Sequence, residues 1–443
     1  MLSGFIFLQS LASPRDLPLA LPLPEWFLIA VLIISFLLHI IFVDLMLGGV
    51  LLTLWAQIKG LKEPEYDHLA HEIAATVTVN KSMAVVLGVG PLLSINVLYT
   101  LYFYTANSLT GAVWIMIIPL VTVAFLLTYL HKYTWEKLEH NKPLHISIIA
   151  LATVIFLFIP FIFLANANLM LFPEKWNTVK GFLSAMLLPN VFPRYIFFIF
   201  STLAVSGLFM AWYFGKKEYE WSSHFERLQQ YDIRKKFYSL TLAALFIQLV
   251  LAGPILLATL PAKGMSWNVT MIVLLGAALV TLPIYWLWKS VTGPQEMLDR
   301  HFRKIAATLL VTVSIMGMGR HAYRAHALAP HQAMTAKTTT EFEALSAQAR
   351  AEANDPARLE ARKRNLGPEV FQSSCSTCHD QNATLVGPPV TEMVSIYKSN
   401  PEALKQWIVS PGKKRPEATQ MPGFPQLSKE ELEALTNYIL TQQ

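Results

Sequence analysis

Apolar runs separated by short polar links occupy the first three quarters of the chain. Eight are legible, at roughly 26 to 56, 75 to 104, 111 to 131, 144 to 170, 191 to 214, 238 to 261, 268 to 288 and 304 to 322. Each is long enough to cross a bilayer as a helix, which takes about 20 predominantly apolar residues. Beyond residue 325 the pattern breaks. Residues 326 to 365 are rich in Ala, Thr and paired charges, lack the apolar density of a domain and read as a semi-rigid tether with a helix over Thr340–Ala353. The chain closes on an amphipathic helix from Ser428 to Leu440, with Ser428 as N-cap and Glu431 completing a capping box. The predicted architecture is all-α: a polytopic transmembrane bundle of about eight helices over 1 to 325, the tether, and a small C-terminal domain over 366 to 443.

Composition agrees with this pattern. With 443 residues, 54% hydrophobic and 14% charged, the chain is too apolar for an ordinary soluble protein of its size. The formal charge of +6 does not point to nucleic acid, because the basic residues lie in short loops between apolar runs, where topology accounts for them. Met1 to Ala12 is apolar but has no basic stretch before it, and Arg15 and Asp16 follow directly, so no cleaved signal peptide is expected. Fifteen Lys and Arg follow the odd-numbered spans, among them Lys216, Lys217, Arg227, Arg234, Lys235 and Lys236 after the fifth. Only four, Lys175, Lys180, Arg194 and Lys263, follow the even-numbered ones. The positive-inside bias puts the fifteen in the cytoplasm and both termini outside it.

The C-terminal domain carries Cys375-Ser376-Thr377-Cys378-His379. Two thiols three residues apart on one helical turn can both add to the vinyl groups of a porphyrin, while the adjacent His379 swings under the iron. This is a c-type haem attachment pattern; a redox dithiol or half of a zinc site are the other uses of such a pair. No other cysteine exists in the chain, which rules out a four-Cys zinc site. Gly387-Pro388-Pro389 suits a tight turn that brings a backbone carbonyl to the free ring nitrogen of His379. Met421, in the stiff loop Gln420-Met421-Pro422-Gly423-Phe424-Pro425, can present a thioether to the opposite face of the iron, or serve only in packing. In attachment helix, proline turn, methionine loop and closing helix, residues 366 to 443 resemble a class I cytochrome c. The resemblance implies covalent haem c with His379 and Met421 as iron ligands. Such ligation leaves no open coordination site and suits electron transfer rather than oxygen binding. Haem c is attached outside the bacterial cytoplasm, so the expected location is the inner membrane with this domain in the periplasm, in agreement with the charge count.

Ionisable residues at membrane depth are functional candidates. His39 lies thirteen residues past Trp26, about 20 Å along a helix at 1.5 Å per residue, well inside the first span. It is the candidate ligand for a haem b, or a histidine hydrogen-bonded to a neighbouring helix. Asp44, five positions on, lies about 140° away round the helix and faces a cavity or the bundle interior. His131, Lys132 and His145 fall at the cytoplasmic ends of spans three and four and are expected to be solvated. His321, beside Arg320, stands at the outer end of span eight, as a haem ligand, a partner of propionates with Arg320 and Arg324, or a surface anchor.

The first span, Leu37-Leu38-His39-Ile40-Ile41-Phe42-Val43 followed by Leu47-Gly48-Gly49, resembles the pattern around the high-spin haem histidine in subunit I of the cytochrome bd family, the quinol-oxidising oxygen reductases. Leu164-Ala165-Asn166-Ala167-Asn168 is similar to that family's Ala-Asn-Gly turn, and Gly317-Met318-Gly319-Arg320 to its Gly-Arg-Gln-Pro-Trp segment. The likeness spans roughly residues 26 to 325. Phe198 stands where the family has its low-spin haem histidine, and spans three and eight lack the glutamates serving the active-site haems. Pro261 to Trp267 is too short for the quinol-binding loop, and the tether and haem domain replace the ninth helix. Only His39 carries over as a haem ligand.

Three functions follow. The first is an electron-transfer subunit of a membrane-bound respiratory complex, with Cys375, Cys378, His379 and Met421 holding a haem c. It would exchange electrons between a soluble periplasmic c-type cytochrome and other membrane subunits, among them a second bd-like one. Lys413, Lys414 and Arg415 would steer an acidic partner, or form a merely solvated loop. The second is a bd-like catalytic subunit reducing oxygen or nitric oxide at a haem held by His39. The third is a membrane anchor and assembly platform for the haem domain.

Overall fold

The computed structural model describes residues 21–413, 416 and 419–442, without the side chains of 77–81 and 358. The apolar opening segment expected to be uncleaved lies outside these residues. Within them the protein is helical and has no strand. It divides into two compact units, one of residues 16–336 and one containing Lys337–Gln443.

In the first unit, α1 (Glu25–Gly60) and α2 (Pro64–Leu98) form a long antiparallel pair. The chain breaks at Tyr99 and continues as α3 (Thr100–Thr110). There follow α4 (Ala112–Tyr133), α5 (Lys142–Leu169), α6 (Val191–Tyr213), α7 (Gln230–Ala258) and α8 (Trp267–Thr292). The last helix, α9 (Phe302–Ala353), runs 52 residues. Seven helices have the length and apolarity of a membrane span, or eight if the bent pair of α2 and α3 counts as one, and the chain reads as a multi-pass membrane protein. Where the sequence predicts one second span over 75 to 104, the second half of α2 and α3 meet at 111°. Tyr99 sits at φ −131°, ψ 40°, outside the helical region, and a hydropathy count does not register one backbone torsion.

Packing explains which faces are polar. α1 lies against α5 and α6 as well as α2. At Gly48 an added Cβ would fall 2.1 Å from Ser206 Oγ and 2.8 Å from the Thr202 carbonyl, so α1 and α6 approach at a distance only glycine permits. Asp44 is buried at this crossing: its Oδ1 accepts from the Thr202 hydroxyl at 2.8 Å and its carbonyl from the Ser206 hydroxyl at 2.8 Å. It faces the bundle interior. In α7, residues Gln248–Ala252 form a π segment just before Pro254, which has no N–H for the regular ladder. Gln248 Nε2 there donates to the Phe197 carbonyl at 3.0 Å and to Ser201 Oγ at 2.6 Å.

His131 and His145 are not solvated. They are 1% and 0% exposed, stacked with ring centroids 4.1 Å apart. Gln57, on α1, clamps them: its Nε2 donates to His145 Nδ1 at 2.8 Å and its Oε1 accepts from His131 Nε2 at 2.9 Å. His145 Nε2 donates in turn to the His131 carbonyl at 2.8 Å. The set is self-consistent with both imidazoles neutral, each carrying its proton on Nε2. Trp135 closes the cluster edge-on against both rings. The expectation of solvated side chains fails because the partner that buries them lies 74 and 88 residues away in sequence.

Gln57→Leu leaves a donor on His131 and an acceptor on His145 buried without partners, each costing about 1–3 kcal/mol. The expected outcome is a clear fall in the thermal midpoint of the detergent-solubilised protein, measured by intrinsic fluorescence; an unchanged midpoint would show that the clamp contributes nothing to stability.

Candidate functional site

The second unit is built around two crossing helices, α10 (Pro356–Ser374) and the C-terminal α13 (Lys429–Thr441), joined by α11 (Val390–Tyr397) and α12 (Pro401–Val409). At the crossing, a Cβ on Gly367 would lie 2.4 Å from the Ala434 carbonyl, so the backbones touch. Phe371 packs on Tyr438 with ring centroids 5.5 Å apart. Val370, Cys375, Val390, Met393, Leu404, Ile408, Leu435 and Ile439 complete the core.

The haem-attachment pentapeptide continues directly from α10. Cys375 N–H donates to the Phe371 carbonyl at 2.8 Å, and the Cys378 and His379 N–H groups to the Cys375 carbonyl at 3.0 Å each. This turn fixes Cys375, Cys378 and His379 as one rigid group. Both thiols are free; Cys375 is buried and Cys378 half-buried. Burial, with Cys378 adding to it, pushes the Cys375 thiol up to about 11, so it stays protonated at neutral pH.

His379 is buried, and its Nδ1 donates to the Pro388 carbonyl at 2.8 Å. That bond fixes the tautomer and ring plane and leaves Nε2 for a metal. Gly387 makes the approach possible: a Cβ there would fall 2.3 Å from Cε1 and 2.7 Å from Nδ1. Its N–H also donates to the Cys378 carbonyl at 2.9 Å, tying the proline turn to the attachment turn. Asp380 caps the next loop: the N–H groups of Ala383 and Asn382, both at 2.9 Å, hold its carboxyl below the usual range.

Met421 lies half-buried in a loop without regular structure. The loop is held at both sides, since Gln420 Nε2 donates to the Pro411 carbonyl at 3.0 Å and Phe424 N–H to the Ile408 carbonyl at 2.9 Å. Lys413 is exposed near its start; Lys414 and Arg415 lie outside the described residues. The donor set fits a porphyrin with two vinyl groups: paired thiols on one turn, an oriented imidazole and a loop thioether. Cys375 and Cys378 would carry the thioether bonds, His379 and Met421 the iron.

In the bundle, His39 is half-buried on α1, with Nδ1 2.8 Å from the Ala84 carbonyl of α2. A Cβ on Gly88 would lie 2.9 Å from its Cε1, so the ring rests on the backbone of α2. A ring nitrogen bound to a carbonyl over a glycine repeats the arrangement at His379. His321 Nδ1 meets the Tyr99 hydroxyl at 3.2 Å. Sequence reasoning singled out neither Gly88 nor Gln57, since only the pairing of distant helices shows them; Arg194 it counted as a loop charge, although it is an ionisable residue in the first turn of a span.

Two predictions follow for the domain. Gly387→Ala pushes the His379 ring off the Pro388 carbonyl; the expected result is a perturbed reduced haem spectrum and a lowered midpoint potential, while an unaltered spectrum would mean the turn does not orient the ligand. In the capping box, Ser428 N–H and hydroxyl both lie 2.8 Å from Glu431 Oε2 and hold that carboxyl below the usual carboxylate range. A depressed carboxylate stabilises above its unfolded pKa and loses that contribution as pH falls through the folded one. Acid melts monitored by circular dichroism should therefore show Ser428→Ala destabilising at neutral pH, by about 1 kcal/mol for a lost N-cap, with the difference shrinking as the pH falls through the depressed carboxyl pKa.

The chain matches none of the curated proteins with which it was compared, and the bd-like likeness of residues 26 to 325 draws no support from family models. Residues 365–443 match the family model for cytochrome c. With the attachment turn and the oriented His379, this segment is a cytochrome c domain, which implies covalent haem c and electron transfer through it.

Proposed function

We propose that the chain is the electron-transfer subunit of a membrane-bound respiratory oxidoreductase complex. Its haem c passes electrons between a soluble periplasmic c-type cytochrome and a membrane partner. The observation that carries this reading is the His379 imidazole, oriented by Pro388 beside both thiols at the end of a multi-pass chain. When bound, the haem supplies a one-electron couple. The protein's part is to hold it through Cys375 and Cys378, orient the imidazole, close the second axial position with Met421 and keep the attachment side packed. The excess of basic residues after the odd-numbered spans supports a location of the domain outside the inner membrane. The exposed Lys413 is suited to steering an acidic partner.

A second reading makes the chain a bd-like reductase subunit with a haem b at His39. What favours it is the Nδ1 bond to Ala84 above Gly88, which leaves Nε2 available. The glutamates missing from spans three and eight count against it. In a third reading, the bundle only anchors and assembles.

A reduced-minus-oxidised spectrum of the purified protein with extracted-haem quantitation separates the three. The first and third predict one covalent haem c per chain, abolished in Cys375→Ala/Cys378→Ala and unchanged in His39→Ala. A non-covalent b or d signal lost with His39 would move the assignment to the second. Electron uptake from reduced periplasmic cytochrome and its onward delivery to a co-purifying membrane subunit distinguishes the first from the third.

A further inference from the structure

The end of the bundle at which α1 begins gathers three arginines that electron transfer leaves without a task. Arg194 lies in the first turn of α6, and Arg320 and Arg324 are four residues apart, on one face of α9. Arg324 is 7% exposed, and the three guanidinium groups are close enough to repel one another. Arg194 Nε donates to Asn190 Oδ1 at 2.8 Å. Arg320 lies over the Phe36 ring at 5.0 Å, and Arg324 over the Tyr99 ring at 4.9 Å and bonded to its hydroxyl. Among the described residues none of the three has a carboxylate within ion-pair distance. Elsewhere the chain does pair its cations: Lys142 with Asp67 at 2.5 Å, Lys263 with Glu174 at 2.9 Å, Arg234 with Asp299. Glu25 acts electrostatically on Tyr99 and His321, but it is exposed and ion-pairs with none of the arginines.

Arg324 is buried and Arg194 and Arg320 are half-buried, and like charges gathered out of full contact with water, with no opposite charge among the described residues, are unfavourable. Among the described residues no carboxylate supplies the compensation, which a bound anion would provide. We infer that Arg194, Arg320 and Arg324 form a binding site for an oxyanion, a ligand presenting carboxylate or phosphate oxygens with two or more negative charges in all. Guanidinium forks suit such oxygens because each offers parallel N–H donors in a fixed plane. The wall beside them is apolar: a Cβ on Gly317, one turn before Arg320, would meet Leu37 and Ile33 at ordinary contact distances of 3.8 and 3.9 Å. The anionic end therefore belongs to a ligand with an apolar body, and two sources share that chemistry: the propionates of a non-covalent porphyrin and the phosphate of an anionic lipid.

The test uses the full chain with its haem c attached. Metal-free protoporphyrin IX is titrated into the detergent-solubilised protein, and thermal midpoints are compared in nanodiscs of phosphatidylcholine alone and with phosphatidylglycerol. The expected result is saturable binding or a raised midpoint with one probe, weakened at least tenfold in Arg320→Gln/Arg324→Gln, with no change in the haem c spectrum. Porphyrin alone identifies propionates; phosphatidylglycerol alone identifies lipid phosphate. In ligand-free protein the double variant should melt no lower than wild type, since it relieves repulsion, whereas arginines kept for structure would lower it. Should the double variant not fold, the single variants Arg194→Gln and Arg320→Gln are read in the same way. Absence of any response to either probe, or equal responses in wild type and variants, overturns the site.

Discussion

An apolar medium leaves no polar group free to turn to water, and this constraint organises the whole chain. The buried Asp44 is held by Thr202 and Ser206 where Gly48 lets two helices nearly touch. Gln57 satisfies two histidines at once. In the cytochrome c domain the same rule orients a histidine: His379 is buried, so its Nδ1 needs an acceptor, and Pro388 supplies the carbonyl that sets the ring. The bond that completes one nitrogen leaves the other open, as an axial ligand would need it.

The polar residues differ in how they are compensated. Asp44 and the Gln57 cluster are complete within the chain and so belong to its architecture. His39 is complete on one side only, its ring supported by Ala84 and Gly88. The three arginines have aromatic rings, an amide and a phenol, but among the described residues no ion-paired carboxylate. That ordering, from closed to open, separates residues that build the bundle from those that await a partner.

Much of this was legible in the sequence wherever the signal is local. The attachment pentapeptide, the proline turn and the Ser428–Glu431 box lie within a few residues of their partners, and apolar runs of span length need no partner to be seen. What escaped depends on contacts across the chain. The burial of His131 and His145 rests on Gln57 in another helix. The bend after α2 rests on the torsions of Tyr99, and Pro91 inside α2 gives no warning of it. The charged segment read as a tether with a helix from Thr340 is helical from Phe302 to Ala353, since Ala-rich sequence sustains a helix even through Pro330. Its polarity was visible; its continuity was not.

Cys375 and Cys378 are the only sulfhydryls in the chain, and they stand on a single helical turn. Disulfide formation within one molecule therefore has a single product, and that product consumes both sulfurs the porphyrin requires. In an oxidising compartment, maturation of this protein becomes a race with one competitor. A reductant must keep the pair open until both thioethers have formed, after which the same two atoms are beyond the reach of disulfide chemistry altogether.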